Sequence, residues 1–162
     1  MTVALRRATV EDAAAVAEVF LTSFHATYAF PLAHTDDEVR SWIRDRLIPN
    51  DEVWVAVDRE RVVAMLALTP GWLDQLYVAP DRLGEGLGRQ LMALAKSRQP
   101  EGLQLWTFQV NGRARRFYQS HGFVAVEETA DRNQERQPDV LYRWAGASGA
   151  RAAAGDRYPA EP

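Results

Sequence analysis

Hydrophobic and polar residues follow two different periods along this chain, and each change of period marks the boundary of a predicted element. Apolar residues recur at helical spacing in some stretches and gather into short continuous runs in others. The helical spacing predicts helices over residues 9–24, 35–47 and 86–98, and a further short helix that includes residues 113–118. The apolar runs predict strands over residues 3–8, 53–57, 62–68, 72–78, 103–110, 123–128 and 139–144.

The order of these elements predicts the fold class. The order β-α-α-β-β-β-α-β-α-β-β is typical of an α/β protein with a mixed sheet and helices on both faces. Residues 53–57 and 62–68 are almost continuously apolar, so both faces of the sheet should be covered there. Residues 25–35 are rich in aromatic side chains and histidine, and we interpret them as a connection. Residues 145–162 lack periodicity, which predicts a single domain over residues 1–144 and then a flexible tail.

Composition narrows the classes of function. The chain has 162 residues, 47% of them hydrophobic and 25% charged, which suits one globular domain. It contains no cysteine, so disulfides and thiolate chemistry are excluded. A net charge of -3 argues against nucleic-acid binding, and no apolar run approaches the roughly 20 residues that span a bilayer. We recognise no secretory signal and no metal-ligand spacing among the histidines, so we expect a cytoplasmic protein with no metal and no membrane contact.

The most informative segment is residues 78–88, where a predicted strand ends and glycines open a helix. Gly84, Gly86 and Gly88 let main-chain N–H groups face a ligand with no Cβ in the way, and the helix N-terminus adds partial positive charge. This arrangement suits a phosphate or pyrophosphate. A dinucleotide fingerprint would need a third glycine where Arg89 stands, and a Walker loop would need a Gly-Lys pair that this segment lacks. A plain glycine turn before a helix remains the alternative.

The same segment resembles the most telling motif of the GNAT acetyltransferases. A strand ends in Leu-Tyr-Val at residues 76–78, Pro80 follows two residues later, and Gly-Leu-Gly at residues 86–88 opens a helix. A second motif of the family also has a counterpart further along. Asn111 follows a strand, Ala-x-x-Phe-Tyr occupies residues 114–118, and Gly-Phe follows.

The two motifs occur in the family's order, and the resemblance covers roughly residues 4–144. It implies the GNAT fold, in which a central mixed, mostly antiparallel seven-stranded sheet is flanked by about four helices. It also implies an enzyme, an acetyl-CoA-dependent N-acyltransferase. The acetyl group of acetyl-CoA would pass to a primary amine by direct attack in a ternary complex.

The resemblance assigns the acetyl-CoA contacts to the end of the fourth strand, the glycine turn and the start of the short helix. These residues are Leu76, Tyr77, Val78, Leu83, Gly84, Glu85, Gly86, Leu87, Gly88, Arg89, Asn111, Arg116 and Tyr118. The sequence departs from the family at Leu83, where members usually carry Gln or Arg, so a side-chain contact to the pyrophosphate is missing. It departs again at Trp72, where many members carry the glutamate that serves as general base.

Three chemical roles must be filled in such a reaction. By resemblance, the main-chain N–H of Val78 stabilises the oxyanion, and Tyr118 protonates the departing thiolate. Strand alternation favours Asp74 as the base, because residues 72, 74, 76 and 78 would then share one face. An ordinary exposed carboxylate at Asp74, with a water chain instead of a dedicated base, remains open.

The acceptor site is expected between the connection at residues 25–35 and the late hairpin, where the family places it. The predicted acceptor-binding residues are Tyr28, Phe30, Trp72, Asp74 and Asn133. Acidic and polar residues between Glu127 and Asp139 would suit a cationic amine, either a small molecule or a peptide. Family members often dimerise, so a homodimer is one expected assembly.

Two other functions remain open at this point. The first is a non-catalytic, acyl-CoA-binding GNAT module that acts as a sensor or partner domain. The departures from the family at Leu83 and Trp72 favour this alternative, and the presence of Tyr118 argues against it. The second is a regulatory domain that binds a nucleotide at the glycine turn. Such a domain would be stabilised by ATP or NAD rather than by CoA.

Overall fold

A single sheet organises the protein, which we describe from a computed structural model covering residues 2–149. The seven strands lie in the order β1-β2-β3-β4-β5-β7-β6, and every neighbouring pair is antiparallel except β4 and β5. This confirms the predicted mixed, mostly antiparallel sheet. The strands are β1 (Ala4–Arg7), β2 (Glu52–Asp58), β3 (Arg61–Thr69), β4 (Trp72–Val78), β5 (Leu103–Phe108), β6 (Val124–Thr129) and β7 (Asp139–Trp144).

The helices cover both faces of the sheet, as the apolar runs of β2 and β3 predict. They are α1 (Ala13–Thr27), α2 (Asp36–Trp42), α3 (Ile48–Asn50), α4 (Leu87–Arg98) and α5 (Gly112–Ser120), and a π-turn (Ile43–Leu47) joins α2 to α3. On one face α1 and α2 pack against β2 and β3 around Phe20 and Ile43. On the other face α4 packs against β3, β4 and β5 around Leu66 and Leu91, and Tyr118 of α5 joins the same cluster.

Local sequence signals start α2 and α5 where they were expected. The Thr35 side chain accepts a hydrogen bond from the Glu38 N–H at 3.2 Å, and the Glu38 carboxylate accepts one from the Thr35 N–H at 2.9 Å. This reciprocal pair satisfies two N–H groups at the start of α2 that have no partner within the helix. The side chain of Asn111 caps α5 in the same way, because its Oδ1 accepts a hydrogen bond from the Ala114 N–H at 3.0 Å.

Some element boundaries differ from the predicted ones. Helix α1 continues to Thr27 rather than ending at Phe24. The apolar period does not reveal its last three residues, because their side chains are exposed. Pro49 does not stop the second helical segment, which continues through the π-turn to Asn50. Strand β5 ends at Phe108, two residues before the predicted end, because the chain turns there and the Asn111 N–H donates back to the Phe108 carbonyl at 3.0 Å.

The C-terminal segment lies only partly within the described residues. Residues 146–149 form a helical turn, and Ala147 N–H donates to the Pro100 carbonyl at 3.0 Å. The rest of the predicted tail, residues 150–162, falls outside the described part of the chain. Within residues 2–149, every helix is too short or too polar to cross a membrane.

Candidate active site

Strands β4 and β5 separate almost as soon as they meet. Their one paired position is Trp72 with Gln104, and beyond it the two strands diverge towards Val78 and Phe108. A cavity of about 860 Å³ occupies this opening and reaches both faces of the sheet. Its walls come from α1, β4, the glycine turn, β5, α5 and the connection between β6 and β7. A volume of this size suits a cofactor-sized ligand.

The main chain of Val78 points into the opening. The neighbouring Ala79 N–H donates to Val63 O on β3 at 2.9 Å, and N–H groups of successive strand residues point in opposite directions. The N–H of Val78 therefore faces away from β3, towards the gap. The carbonyl of Val78 points the same way and accepts a hydrogen bond from Ser23 Oγ at 2.8 Å. The buried Ser23 fixes the end of β4 against α1, a contact that the sequence did not predict.

The glycine turn has the backbone conformation that its composition predicts. Gly84 and Gly86 both have φ of +83°, which residues with a Cβ rarely adopt, and no atom lies within 4 Å of the position a Cβ would take. Gly88 lies against the Phe117 ring, where an added Cβ would stand 3.4 Å away. Across residues 2–149, no main-chain hydrogen bond uses the N–H groups of residues 86–89. The first turn of α4 therefore presents unpaired donors to the cavity.

Most of the predicted acetyl-CoA contacts line this cavity, and two do not. Glu85 turns away and pairs with Arg82 at 2.5 Å, while Arg82 also contacts Asp58 at 3.0 Å. Arg82 is therefore engaged by carboxylates, and Arg89 is the arginine of the turn that lines the cavity without an ion pair among residues 2–149. Arg116 also lies outside the lining.

Arg116 lies just beside the face of α5 that lines the cavity. That face carries Arg113, Ala114, Phe117, Tyr118, Ser120 and His121. A helix repeats every 3.6 residues, so position 116 falls at the edge of this stripe and outside the lining. Arg113 lines the cavity, and the acetyl-CoA contact of Arg116 stays a prediction.

A bulge in β4 changes the placement of Asp74. Ala67 pairs with Gln75 and Leu68 pairs with Leu73, which leaves Asp74 as an extra residue. Leu73 consequently packs in the same cluster as Leu76 and Val78. Strict alternation therefore does not hold in this part of β4, and the shared face predicted for residues 72, 74, 76 and 78 is wrong.

The Asp74 carboxylate lines the cavity but is held at 2.6 Å by the hydroxyl of Thr69. It lies four residues from Val78, roughly 13 Å along the strand.

Tyr118 lines the cavity from α5. Its ring packs against Phe117, Phe123 and Tyr142, and the residue is only 8% exposed. Burial raises the pKa of the Tyr118 hydroxyl above its ordinary value, with a smaller contribution from Tyr28. The hydroxyl is therefore protonated throughout the neutral range. It makes no hydrogen bond with any group in residues 2–149, so its proton is free for a ligand.

The aromatic wall of the acceptor side comes from the end of α1 and from β5. Tyr28 packs against Phe24 and Phe108 at ring-centroid distances of 4.7 and 5.1 Å. Its hydroxyl accepts a hydrogen bond from Asn111 Nδ2 at 2.9 Å, which ties α1 to the start of α5. The structure thus brings together two predicted site residues that are 83 positions apart.

Two predicted acceptor residues lie outside the cavity lining. Phe30 packs behind Tyr28 and Phe108, at centroid distances of 4.9 and 5.1 Å, and supports the wall without forming it. Trp72 lies at the closed end of the opening, where β4 and β5 still pair. The bulge and the length of β4 separate Trp72 from the open end.

The connection between β6 and β7 closes the acceptor side. Asn133 lines the cavity, but its side chain is used within the connection, where it bonds to Gln137 O at 2.6 Å and to Asp139 Oδ2 at 2.9 Å. The next residue, Gln134, contacts His34 Nε2 at 3.2 Å and so joins this connection to the one between α1 and α2. Glu135 also lines the cavity, and the sequence had included it only in a general acidic run.

The site has no cluster that would hold a metal ion. Within residues 2–149, no group of three or more His, Asp or Glu side chains is arranged as metal ligands. The polar groups of the cavity are instead main-chain amides, tyrosine hydroxyls, arginines and carboxylates. Such a set is equipped to bind an anion at one end and to move protons at the other.

Comparisons with known proteins agree with this geometry. A family model described as an acetyltransferase (GNAT) domain matches residues 49–125. Two relatives are peptidyl-lysine N-acetyltransferases of Escherichia coli. YjaB is 32% identical over 124 residues, which cover 76% of this chain and 83% of YjaB. YiaC is 27% identical over 141 residues, which cover 86% of this chain and 95% of YiaC.

Solved structures have the same architecture. The solution structure of apo YjaB superimposes with a TM-score of 0.75 at 29% identity, covering 91% of this chain and all of that one. The structure of yncA from Salmonella typhimurium, described as a putative acetyltransferase with its cofactor acetyl-CoA, superimposes with a TM-score of 0.67. At 18% identity over 90% of this chain and 94% of yncA, that likeness concerns the fold alone.

Proposed function

This chain belongs to the GNAT acetyltransferase family and is an N-acyltransferase, and from that premise we propose that it transfers the acetyl group of acetyl-CoA to a primary amine by direct attack in a ternary complex. One observation carries the proposal. The opening between β4 and β5 leaves the N–H of Val78 without a strand partner, in a cavity lined by both the glycine turn and the aromatic wall of Tyr28 and Phe108.

The glycine turn binds the diphosphate of acetyl-CoA in this proposal. The unpaired N–H groups of residues 86–89 point at an anion, and the partial positive charge of the α4 N-terminus adds to their attraction. Arg89 and Arg113 supply positive charge at the same end of the cavity. The outer edge of β4 at Leu76 and Val78, which has no strand beside it, pairs with the amides of the pantetheine arm.

The Val78 N–H stabilises the transition state. When the amine nitrogen bonds to the thioester carbon, the carbonyl oxygen becomes an oxyanion, and an N–H fixed at that position is worth roughly 3 kcal/mol. Collapse of the adduct breaks the C–S bond, and Tyr118 donates its proton to the departing thiolate. The tyrosinate takes back a proton from the nitrogen of the product. Counted from the ammonium form of the acceptor, which loses one proton before attack, the overall reaction yields an amide, free CoA and one released proton.

The acceptor class proposed here is a primary amine on a peptide or a small molecule. The two Escherichia coli relatives are named for acting on peptidyl-lysine, which is a primary amine on an unbranched alkyl chain. The aromatic wall of Tyr28 and Phe108 is suited to packing against such a chain.

The decisive experiment measures free CoA thiol from acetyl-CoA in the presence of a panel of amines, with mass spectrometry of the products. We expect thiol release that depends on the amine, together with one acetyl group on the acceptor. Binding of acetyl-CoA without release for any amine would favour the non-catalytic module. Thermal stabilisation by ATP or NAD but not by CoA would instead favour a nucleotide-binding domain.

A further inference from the structure

Glu135 is held at the tip of a closed turn at the acceptor end of the cavity. The Asn133 side chain binds both the N–H and the carbonyl of Gln137, at 3.0 and 2.6 Å, and the Arg136 N–H donates to Asn133 O at 3.1 Å. Arg136 has φ of +54°, an unfavourable value for a residue with a Cβ, which these bonds maintain. The turn therefore presents the side chain of Glu135 in a defined place.

The ionisable groups of the cavity are divided by charge. The arginines in its lining, Arg82, Arg89 and Arg113, belong to the glycine turn or to the start of α5, where the diphosphate would bind. The connection between β6 and β7 contributes carboxylates instead, and neither of its arginines lines the cavity. A positively charged acceptor would thus meet complementary charge, and an anionic one would be repelled.

Of the three carboxylates that line the cavity, Glu135 is the one without a bonding partner among residues 2–149. Asp139 is buried and accepts hydrogen bonds from Thr129 and Asn133, one on each oxygen. Asp74 is bonded to Thr69. The half-buried carboxylate of Glu135 makes no hydrogen bond or ion pair with any group in residues 2–149, so both of its oxygens are available to a ligand.

Glu135 also lies near the groups that surround the reaction. Burial raises the pKa of the Tyr77 hydroxyl, and the nearby Tyr28, Tyr118 and Glu135 raise it further. The Glu135 carboxylate lines the same cavity as Val78, Tyr28 and Tyr118. It therefore faces the space in which the amine and the thioester would meet.

We propose that Glu135 determines acceptor specificity by pairing with the ammonium group of a cationic alkyl amine and removing one of its protons before attack. This role rests on the acetyl transfer proposed above. The ammonium gives one proton to the carboxylate, which becomes a neutral acid, and the nitrogen regains the lone pair that attacks the thioester. Glu135 then releases that proton to solvent, which accounts for the one proton produced per turnover.

The test compares two acceptors of equal length on the wild-type and Glu135→Gln proteins. One acceptor is an alkyl amine, which is cationic at neutral pH, and the other is an O-alkylhydroxylamine, which is uncharged. We expect Glu135→Gln to lower kcat/KM for the alkyl amine about 100-fold at neutral pH and to change that for the hydroxylamine by less than about threefold. The loss should shrink as rising pH deprotonates the free alkyl amine.

The other groups facing this region are Tyr28, Tyr77, Tyr118 and Asp139. The three tyrosines have raised pKa values, so they stay protonated between neutral and mildly alkaline pH. Asp139 is held by two hydrogen bonds within the protein. None of these groups would therefore reproduce the effect of removing the Glu135 carboxylate.

The matched control is Glu101→Gln, which removes the same charge from an exposed position outside the cavity and should match the wild type. Glu135→Asp keeps the charge but withdraws it by one methylene, and it should lose activity partially and only with the alkyl amine. Acetyl-CoA affinity should be unchanged in all three variants, which checks that they fold.

Equal losses for the two acceptors, or no loss for the alkyl amine, would overturn the role of Glu135 while the acetyl transfer itself stands. A wild-type protein that acetylates neither acceptor would overturn both proposals. The two failures are therefore distinguishable.

Discussion

The hydroxyl of Ser23 donates a hydrogen bond of 2.8 Å to the main-chain carbonyl of Val78 and so joins the buried face of α1 to the open end of β4. Strand β5 has already diverged at this point, and the outer edge of β4 has no neighbouring strand to align it. Because the N–H and the carbonyl of Val78 point in the same direction, the bond that fixes the carbonyl also orients the proposed oxyanion donor.

Replacing Ser23 with alanine should therefore impair catalysis more than binding. We expect Ser23→Ala to lower kcat several-fold with little change in the KM for acetyl-CoA, and to cost about 1 kcal/mol of stability for the lost hydrogen bond. Ser97→Ala is the control, since Ser97 makes a similar 2.7 Å bond to the Leu94 carbonyl on the exposed side of α4. Steady-state kinetics and thermal melts of both variants check this, and equal kcat values would remove Ser23 from the mechanism.

A second prediction concerns the left-handed glycine at the start of α4. Gly86→Ala places a Cβ on a residue with φ of +83°, which costs roughly 1 kcal/mol and shifts the N–H groups that face the diphosphate. We expect the KM for acetyl-CoA to rise at least about tenfold, since a 1.4 kcal/mol loss of binding has that effect. Gly71→Ala is a matched control, because Gly71 has φ of +79° and similar open space but lies outside the cavity lining. A rise in KM for both variants would point to general strain.

Tyr118 supplies a third prediction. Tyr118→Phe removes the hydroxyl and keeps the ring, so core packing with Phe123 and Tyr142 should survive. We expect kcat to fall at least about tenfold, within the usual range for loss of a general acid, with a small change in acetyl-CoA affinity. Because burial raises the pKa of Tyr118 above its ordinary value of 10.0, deprotonation of this residue should cause no loss of wild-type activity in mildly alkaline solution. Unchanged kcat in the variant would exclude the acid role.

The sequence predicts the parts of this structure that depend on local chemistry. The apolar spacing of α1 and α4 specifies buried faces around Val16, Phe20 and Leu91. The glycine turn requires residues without a Cβ at Gly84 and Gly86, and these conformations are observed. Asn111 is a residue type that caps helices, and it caps α5. Each of these features depends only on residues a few positions away along the chain, so it can be predicted from a single sequence.

Features that depend on distant partners were not predictable. The bulge at Asp74 follows from the register between β3 and β4, and one extra residue in a ladder leaves no mark on an apolar run. Ser23 is a polar residue on a helix, and only the fold brings it to Val78, 55 positions away. Glu135 was one acidic residue among several in the sequence. Its distinct role emerges only when Asp139 and Asp74 are seen to be bonded elsewhere.

The last prediction concerns stability in acid and the ion pair between Arg6 and Asp12. Arg6 donates two hydrogen bonds of 2.8 Å to Asp12, and the Thr9 N–H donates a third. The pair with Arg6 is the largest cause, and the bond from Thr9 a further one, that lowers the pKa of Asp12 to about 2. A carboxyl whose pKa is lower in the folded state stabilises the fold above its unfolded pKa of about 4, and this contribution disappears as the pH falls through 2.

Asp12→Asn should therefore lower Tm by several degrees at neutral pH, and the difference from the wild type should shrink between pH 4 and 2. Asp45→Asn, which removes a carboxylate paired with Arg44 on the exposed surface, should leave Tm almost unchanged. A Tm difference for Asp12→Asn that stays constant across this range would show that the ion pair is not its source.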